Sequence, residues 1–359
     1  MNLRIPGPTP LPLEVRQALG EDMIHHRGAG FHALLRGVAS QLATFLHTDG
    51  DVLLLTASGT GGLEAALVNV LSPGEAVLSL SCGAFGERFA DIARAFGGDV
   101  HQLDFPWGQS VEVGAVQQAL RSRSGFRVLL TTHNETSTGV LNDLEALAVM
   151  LRSQGPDRPL WVVDAVSSLG AVDLPMDEWG CDLVVSASQK AWMAPPGMAF
   201  VALSNRAWLR IAQARCPRYY WDLELAQKYA SRGETPFTPA VSTLYGLRAS
   251  LAAMSREGLP AIAERHRLLA NHIRSGLREL GLRLFAEDAV ASPTVTAVYT
   301  PDGLAATELR NRLATEHDVV VATGQGVYKE SVLRIAHMGF CNHKDIEAVL
   351  TALRAVLHR

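Results

Sequence analysis

Residues 160–204 read LWVVDAVSSLGAVDLPMDEWGCDLVVSASQKAWMAPPGMAFVALS. Three short apolar runs rich in β-branched residues lie within this stretch, at 160–168, 181–188 and 198–204. Near-continuous apolar character over runs of this length is typical of strands in a parallel sheet covered on both faces. The stretch therefore predicts neighbouring buried strands of an α/β protein, with polar residues where the strands end.

Similar apolar runs occur over a longer stretch, from about residue 50 to 205. Apolar runs such as DVLLLTAS (51–58) and FRVLLTTHN (126–134) alternate with helical patterns such as GGLEAALVNVL (61–71) and DLEALAVMLRS (143–153). Strands that alternate with helices predict an α/β fold with a mostly parallel, doubly wound sheet.

The sequence changes character after residue 245. A long helical stretch at 244–280 precedes three strand-like runs, at 294–301, 319–326 and 331–339. This pattern predicts a smaller C-terminal α+β domain. The first dozen residues are rich in proline and glycine, so they should lie extended over another surface. We predict an N-terminal extended segment over 1–15, a large domain over 16–250 and a small domain over 251–359.

Composition excludes several classes of protein. The chain has 359 residues and a net charge of -4, and a negative net charge does not favour binding to nucleic acid or to an anionic membrane. It has no apolar run of membrane-spanning length and no secretory signal pattern, so we expect a cytoplasmic protein with small-molecule partners. Its cysteines, Cys82, Cys181, Cys216 and Cys341, form no C-x-x-C pair, and we expect neither a disulfide framework nor a metal site.

Lys190 follows the apolar run LVVSAS almost directly. Desolvating an ammonium group is costly unless the group is paired or used, which favours a depressed pKa and imine formation with a carbonyl cofactor. A structural lysine that reaches solvent is the alternative. Asp164 ends the run LWVVD at the matching position. Open α/β sheets bind ligands at the carboxyl ends of their strands, so Asp164 either contacts a ligand or caps a turn.

Three further signals come from polar or aromatic residues around predicted strands. Ser58, Gly59 and Thr60 lie between a strand and a helix, where backbone N–H groups and the helix dipole can bind phosphate. Phe85 could stack on a planar ring or simply pack in the core. Arg334 lies within an apolar strand and could bind a substrate carboxylate or form a structural ion pair. A G-x-G-x-x-G fingerprint would need glycine at Glu64, which disfavours a nicotinamide dehydrogenase.

Together these residues resemble the class V aminotransferases of fold type I. Within them, the chain is similar to the group of alanine–glyoxylate and serine–pyruvate (or serine–glyoxylate) aminotransferases. The matching motifs run through most of the chain: PGPTPLP (6–12), HHRGAGF (25–31), ASGTGGLEAAL (57–67), CGAFGER (82–88), HNETSTGV (133–140), VDAVSSLG (163–170), SASQKAWMAPPGMAFV (186–201), TPFTPAVSTLYGL (235–247) and LRIAHMG (333–339).

The resemblance implies pyridoxal 5′-phosphate (PLP) as cofactor and a role for each matching residue. Lys190 carries PLP as a Schiff base, and Asp164 pairs with the pyridine nitrogen. Val166 and Phe85 pack on the two faces of the ring. The remaining implied positions are Ser58, Gly59, Thr60 and Gln189 at the phosphate, Thr136 near the ring hydroxyl, Thr238 at the phosphate of a neighbouring subunit in a homodimer, Arg334 at the substrate carboxylate and the backbone near Gly7 close by.

The implied reaction is a two-stage transfer of an amino group from a small amino acid, alanine or serine, to a 2-oxo acid such as glyoxylate or pyruvate. Thr235 occupies a position where alanine–glyoxylate relatives often carry tyrosine, so a phosphate contact is expected to be lost. Three rival functions stay open: an aminotransferase for a phosphonate or ureido substrate, a cysteine desulfurase or lyase that uses Cys341, and a non-catalytic subunit with this fold.

Overall fold

A computed structural model of the chain describes residues 1–357, in which short strands alternate with helices through the large domain. The strands are β1 (Asn2–Leu3), β2 (Asp51–Ala57), β3 (Ala76–Ser81), β4 (Asp99–Asp104), β5 (Val128–Thr132), β6 (Asn134–Glu135), β7 (Val140–Leu141), β8 (Leu160–Asp164), β9 (Leu183–Ala187), β10 (Gly197–Leu203), β11 (Val295–Tyr299), β12 (Val319–Val320), β13 (Ala322–Thr323) and β14 (Val332–Ala336). The α-helices are α1 (Leu13–Ala18), α2 (Ala29–Leu46), α3 (Gly59–Val70), α4 (Ala84–Ala95), α5 (Val113–Ser122), α6 (Leu144–Ser153), α7 (Met176–Trp179), α8 (Asn205–Ile211), α9 (Leu223–Ala230), α10 (Val241–Glu257), α11 (Leu259–Glu279), α12 (Ala306–His317) and α13 (His343–Leu357).

The large domain is built on a seven-stranded sheet in the order β2-β10-β9-β8-β5-β3-β4. Strand β10 is antiparallel to both of its neighbours, and every other adjacent pair is parallel. The predicted α/β fold with a mostly parallel sheet is therefore confirmed. Because β2, β3, β5, β8 and β9 all run in one direction, the loops after them meet at a single edge of the sheet.

Successive residues of a strand point to opposite faces, and both faces of this sheet are buried. In β8, Trp161 and Val163 belong to one apolar cluster, whereas Val162 belongs to the other. Helices α2, α6 and α10 cover the first face, and α3, α8 and α9 cover the second. This double cover explains why the strands read as continuous apolar runs rather than as alternating ones.

The small domain contains a three-stranded antiparallel sheet in the order β11-β14-β13, packed with α11, α12 and α13. The predicted helical stretch at 244–280 is two helices, α10 and α11, because Gly258 adopts a φ of +83° between them. Pro260 then occupies the first turn of α11, where its missing N–H group costs nothing. The predicted domain boundary at 250 lies inside α10 and stays a prediction.

The N-terminal segment links the two domains. Strand β1 pairs in parallel with β12 of the small domain, and the backbone N–H of Ala336 donates to the carbonyl of Arg4. Further along, the N–H of Thr9 donates to the carbonyl of Gln189, beside the end of β9. The segment bends at residues 5–8, where the N–H of Gly7 donates to the carbonyl of Ile5, and α1 begins at Leu13, inside the segment predicted to be extended over 1–15.

Among the helices of residues 1–357, none combines the length and the apolar character that crossing a bilayer requires.

Candidate active site

The loops at the carboxyl edge of the large sheet enclose one cavity. Its lining includes all but one of the predicted cofactor-binding residues: Ser58, Gly59, Thr60, Phe85, Thr136, Asp164, Val166, Gln189 and Lys190. These residues come from the loops after β2, β3, β5, β8 and β9, so the fold brings them together from distant parts of the sequence. Leu63, Arg88, Asn134 and Ser167 complete the lining.

Lys190 projects into this cavity from the turn after β9. Burial lowers the pKa of its amine to about 8, an effect that Asp164 opposes and that Arg334 and Arg88 reinforce. Its Nζ donates a hydrogen bond to the carbonyl of Pro6 in the N-terminal segment. A Cβ atom placed on Gly7 would lie 2.8 Å from Lys190 Nζ, so glycine allows the segment to pass directly over the amine.

Asp164 lies at the end of β8, beside Lys190, and is 5% exposed. Burial raises the pKa of its carboxyl to about 6, although a hydrogen bond of 2.9 Å from the backbone N–H of Val166 to Oδ1 opposes the rise. A buried carboxylate with a raised pKa is stabilised by any N–H donor or cation that a ligand brings. The carboxylate is therefore suited to a protonated ring nitrogen.

The N-terminus of α3 faces the same cavity. Ser58 caps the helix, and its side chain accepts a hydrogen bond from the N–H of Gly61. A Cβ atom on Gly59 would lie 2.9 Å from a methyl carbon of Val166, so only glycine lets the helix start so close to the β8 loop. The first N–H groups of a helix have no intrahelical partner, and those of Gly59 and Thr60, which precede the Gly61 bond to Ser58, can donate to an anion.

Arg334 reaches toward the site from β14 of the small domain. It is 8% exposed, and within residues 1–357 no carboxylate lies at ion-pair distance from it. Its Nε donates to the carbonyl of Thr323 at 2.8 Å and its Nη1 to that of Thr136 at 3.4 Å. Burial lowers the pKa of the guanidinium to about 10. The structural ion pair considered from the sequence is absent from the described chain, so this arginine can receive an anionic ligand.

Thr238 stands apart from the other predicted cofactor-binding residues. Its side chain is exposed and does not line the cavity of its own chain. The preceding residues are fixed: the hydroxyl of Thr235 donates to the carbonyl of Phe237 at 2.7 Å, and Arg27 donates to the carbonyls of Thr235 and Pro236. Thr235 thus has a local structural role, and Thr238 is presented to the outside.

Glu135 is a central residue that the sequence analysis did not single out. It is fully buried, and its Oε2 accepts hydrogen bonds of 3.0 Å from the N–H groups of Phe85 and Gly86. Its Oε1 accepts from the N–H and the hydroxyl of Ser137. Glu135 therefore fixes the first turn of α4, which carries Phe85 into the cavity. A Cβ atom on Gly83 would lie 2.5 Å from Glu135 Cγ, so glycine makes this approach possible.

Arg88 is the second residue that the sequence analysis missed. One helical turn after Phe85, it lines the cavity, and its guanidinium carbon lies 4.9 Å from the centre of the Phe85 ring. Its charge lowers the pKa values of both Asp164 and Lys190. The spacing of Phe85 and Arg88 in AFGER could have indicated this pair, since residues three apart share one face of a helix.

Comparison with known proteins agrees with this geometry. A family model described as aminotransferase class-V matches residues 12–350. The chain belongs to the class-V aminotransferase family. A solved structure of alanine–glyoxylate aminotransferase from Nostoc sp. superimposes on this aminotransferase with a TM-score of 0.94, at 32% identity, over 99% of this chain and 94% of that one.

Two curated relatives carry different names. L-Aspartate–glyoxylate aminotransferase of Paracoccus denitrificans is 38% identical over 343 residues, which are 93% of this aminotransferase and 85% of that protein. A protein of Synechococcus sp. named soluble hydrogenase, small subunit, is 41% identical over 358 residues, which are 99% of this chain and 92% of that one. The transaminase activity predicted from the sequence is confirmed by the family.

The first prediction concerns Glu135. In Glu135→Gln the side chain keeps one oxygen acceptor and gains an amide NH2. Either the N–H groups of Phe85 and Gly86 or the donors of Ser137 then face this NH2 and lose their acceptor. Hydrogen bonds to a charged group contribute about 1.5–3 kcal/mol, so displacing Phe85 should lower kcat/KM of transamination roughly 10- to 100-fold.

Asp143→Asn provides the matched control, because Asp143 caps α6 through a 2.9 Å hydrogen bond from Ala146 N–H, away from the cavity lining. Stopped-flow or steady-state kinetics of the two purified variants test the prediction. Equal losses in both variants would show that Glu135 acts only as a general structural cap.

The second prediction concerns the protonation of Lys190. An amine reacts with an aldehyde only when it is neutral, and burial places the pKa of Lys190 at about 8 instead of 10.5. In cofactor-free protein, reductive alkylation of Lys190 by a small neutral aldehyde should rise with pH and level off above about 8. Peptide mass spectrometry measures this, with the exposed Lys228 as internal reference. Labelling of Lys190 that still climbs at pH 10.5 would contradict the lowered pKa.

Proposed function

We propose that this enzyme uses PLP to transfer the amino group of a small amino acid, alanine or serine, to a 2-oxo acid such as glyoxylate or pyruvate. The observation that carries the proposal is the cavity that contains Lys190, Asp164 and the N-terminus of α3 together. An amine of lowered pKa, a buried carboxylate and a helix N-terminus match the aldehyde, ring nitrogen and phosphate of this one cofactor.

The described residues fit PLP in further respects. Oε1 of Gln189 and Oδ1 of Asn134 are buried polar atoms without a hydrogen-bond partner among residues 1–357, and both residues line the cavity. Such atoms are expected to gain partners from a polar ligand. Phe85 and Val166 are half-buried apolar groups of the same lining, suited to the two faces of a flat ring. PLP, when bound, supplies an electron sink for negative charge on the substrate α-carbon.

Lys190 holds the cofactor and moves the proton in this proposal. Once its Nζ is free, the lowered pKa allows it to be neutral near physiological pH and to accept the substrate α-proton. Asp164 remains anionic when it faces a protonated ring nitrogen, because the added positive charge lowers the pKa that burial has raised. The residues of the enzyme thus provide a base and a fixed negative charge within one site.

Arg334 binds the carboxylate shared by amino acid and oxo acid. Its planar guanidinium suits a bidentate contact, and burial strengthens that contact by excluding water. One clamp serves both half reactions because both substrates carry the same group at the same end. The backbone of Gly7 passes over Lys190, and in this proposal it lies close to the same substrate.

The neighbouring subunit completes the phosphate site in this proposal. Thr238 is exposed and the segment before it is fixed by Arg27, which is consistent with a contact from Thr238 to a second copy of the chain. Stacked aromatic rings of Phe237 and Tyr220, with centres 4.9 Å apart, lie beside it. We therefore propose a homodimer, acting in the cytoplasm, with Thr238 at the partner's phosphate.

The relatives bear on the choice of substrate. Glyoxylate appears in the names of the Paracoccus and Nostoc proteins, which supports it as the acceptor. The donors named there are aspartate and alanine. We retain alanine and serine as the proposed donors and include aspartate in the test, and ureido or phosphonate substrates remain the in-family alternative.

A desulfurase and a non-catalytic subunit are less well supported. A desulfurase needs a reactive thiolate, but Cys341 is 4% exposed and burial raises its pKa to about 11. A non-catalytic subunit is suggested by the name of the Synechococcus relative. A non-catalytic subunit would not need a buried Arg334 that lacks a carboxylate partner among the described residues, or a Lys190 with a lowered pKa. The presence of both favours catalysis.

The third prediction tests the cofactor and the reaction class together. The purified protein should show a yellow PLP band that is lost on addition of one amino acid from a series of L-alanine, L-serine and L-aspartate. Lys190→Ala should abolish turnover, while Lys228→Ala, a change of an exposed lysine, should leave it unchanged. A colourless protein that gains no band with added PLP would reject the proposed function.

The fourth prediction concerns the carboxylate clamp. Arg334→Lys keeps a positive charge but loses the planar pair of donors. We expect the KM for donor and acceptor to rise roughly 10- to 100-fold, since a charged hydrogen bond contributes about 1.5–3 kcal/mol. The visible PLP band should remain, because Arg334 does not line the cofactor cavity. An unchanged KM for both substrates would place the carboxylate elsewhere.

A further inference from the structure

Three side chains with metal-binding atoms meet on the surface of the small domain, outside the catalytic cavity. His272 lies on α11, and His343 and Glu347 lie one turn apart at the start of α13. Nε2 of His272 contacts Oε1 of Glu347, and Nε2 of His343 lies 4.0 Å from that same oxygen. One ligand atom from each of the three side chains lies within 4.8 Å of the others.

We propose that His272, His343 and Glu347 form a binding site for a divalent transition-metal cation such as Zn²⁺. Two imidazoles and one carboxylate are a donor set that such cations accept, with ligand bonds of about 2.0–2.2 Å. Mg²⁺ and Ca²⁺ prefer oxygen ligands, so the two imidazoles disfavour them. Water fills the remaining coordination positions of this open surface site.

The backbone beneath these side chains is held by close packing of α11 on α13. A Cβ atom on Gly276, one turn after His272, would lie 2.4 Å from Cδ1 of Leu350, so the two helices are in direct contact there. Ile273 and Ile346 are fully buried next to this contact. The chain therefore brings ligands that are 75 residues apart in sequence to one place before any cation arrives. Such preorganisation lowers the entropic cost of binding.

Binding requires a local movement of one ring. The imidazoles of His272 and His343 are stacked, with centres 4.2 Å apart and planes at 25°. A metal ion lies in the plane of each imidazole that binds it, so the two planes must open. His343 can turn because its side chain is 66% exposed at the first residue of α13, whereas His272 is 32% exposed and stays in place. Glu347, at 46%, can follow.

Local charge partly offsets the cost of placing a cation at the start of α13. A helix N-terminus disfavours positive charge, but Asp345 lies in the same first turn and Glu347 is itself a ligand. Lys344 and Arg354 are the basic residues of α13, and only Lys344 lies in this first turn. Two imidazoles leave the ligand set with one negative charge, which suits a divalent ion with bound water.

The fifth prediction follows from this site. Isothermal titration of the metal-free holoenzyme with Zn²⁺ should give one site per chain, and the melting temperature should rise with saturating Zn²⁺ but not with Mg²⁺. The double variant His272→Gln, His343→Gln should lose this binding and the thermal shift. Transamination should stay at the parent level, since none of the three residues lines the catalytic cavity.

His47→Gln is the matched control. His47 is an exposed histidine that pairs with the carboxylate of Asp173 at 3.0 Å, but it does not belong to a group of three side chains that could hold a metal. That variant should bind Zn²⁺ as the parent does. Absorption of the Co²⁺-loaded protein gives a second readout: weak visible bands that disappear in the double variant support the assignment. No saturable Zn²⁺ binding, or binding that is equal in the parent and the double variant, would overturn it.

Discussion

The removal of water from Lys190 and Asp164 is the constraint on which the rest of the site depends. Burial brings the two pKa values toward each other, to about 8 for the amine and about 6 for the carboxyl. Neither shift would arise at an exposed sheet edge. The edge is closed by Phe85 from one side and by the N-terminal segment at Pro6 and Gly7 from another. The chemistry of the lysine therefore depends on elements that contribute no reactive group.

Charge balance accounts for the buried carboxylate of Glu135, in the loop after β5. Glu135 receives its hydrogen bonds from the start of α4 and from Ser137, and its charge opposes the effect of burial on Arg334. Removal of the negative charge would leave Arg334 and Arg88 as cations at the cavity, with Asp164 alone to balance them. The loop thus holds the aromatic wall of the cavity and favours the charged form of Arg334.

Strand patterns in the sequence predicted many of the residues that line this cavity, because this fold follows a simple rule. In a parallel sheet buried on both faces, the strands are mostly apolar, so charged residues at or just after the strand ends, such as Asp164 and Lys190, mark the edge where ligands bind. The helical start at Ser58–Thr60 was visible for the same reason. Motif resemblance added Thr238 and Gln189, whose roles no strand pattern could have suggested.

What the sequence hid was set by contacts between distant segments. In the sequence, Glu135 is one polar residue among several in HNETSTG. Its carboxylate accepts hydrogen bonds from the start of α4 only because the fold brings that helix close to it. The break at Gly258 was masked because helical periodicity continues on both sides of it. His272 and Glu347 are joined only by the packing of α11 on α13. Each of these features depends on tertiary proximity, which periodicity does not encode.

The N-terminal segment has a mechanical consequence. It is anchored at one end in the small domain, where Asn2 and Leu3 pair with Val319 and Val320, and at the other end beside the lysine, where the hydroxyl of Thr9 donates to the carbonyl of Lys190 at 2.8 Å. Any shift of the small domain relative to the large one therefore pulls on the cover of the amine. Arg334 travels with that same small domain. Under the proposed function, capture of a carboxylate by Arg334 and uncovering of Lys190 would be tied together by this one short segment. A change in β1 that weakened its pairing with Val319 and Val320 would then disturb catalysis without altering any group proposed to touch the substrate.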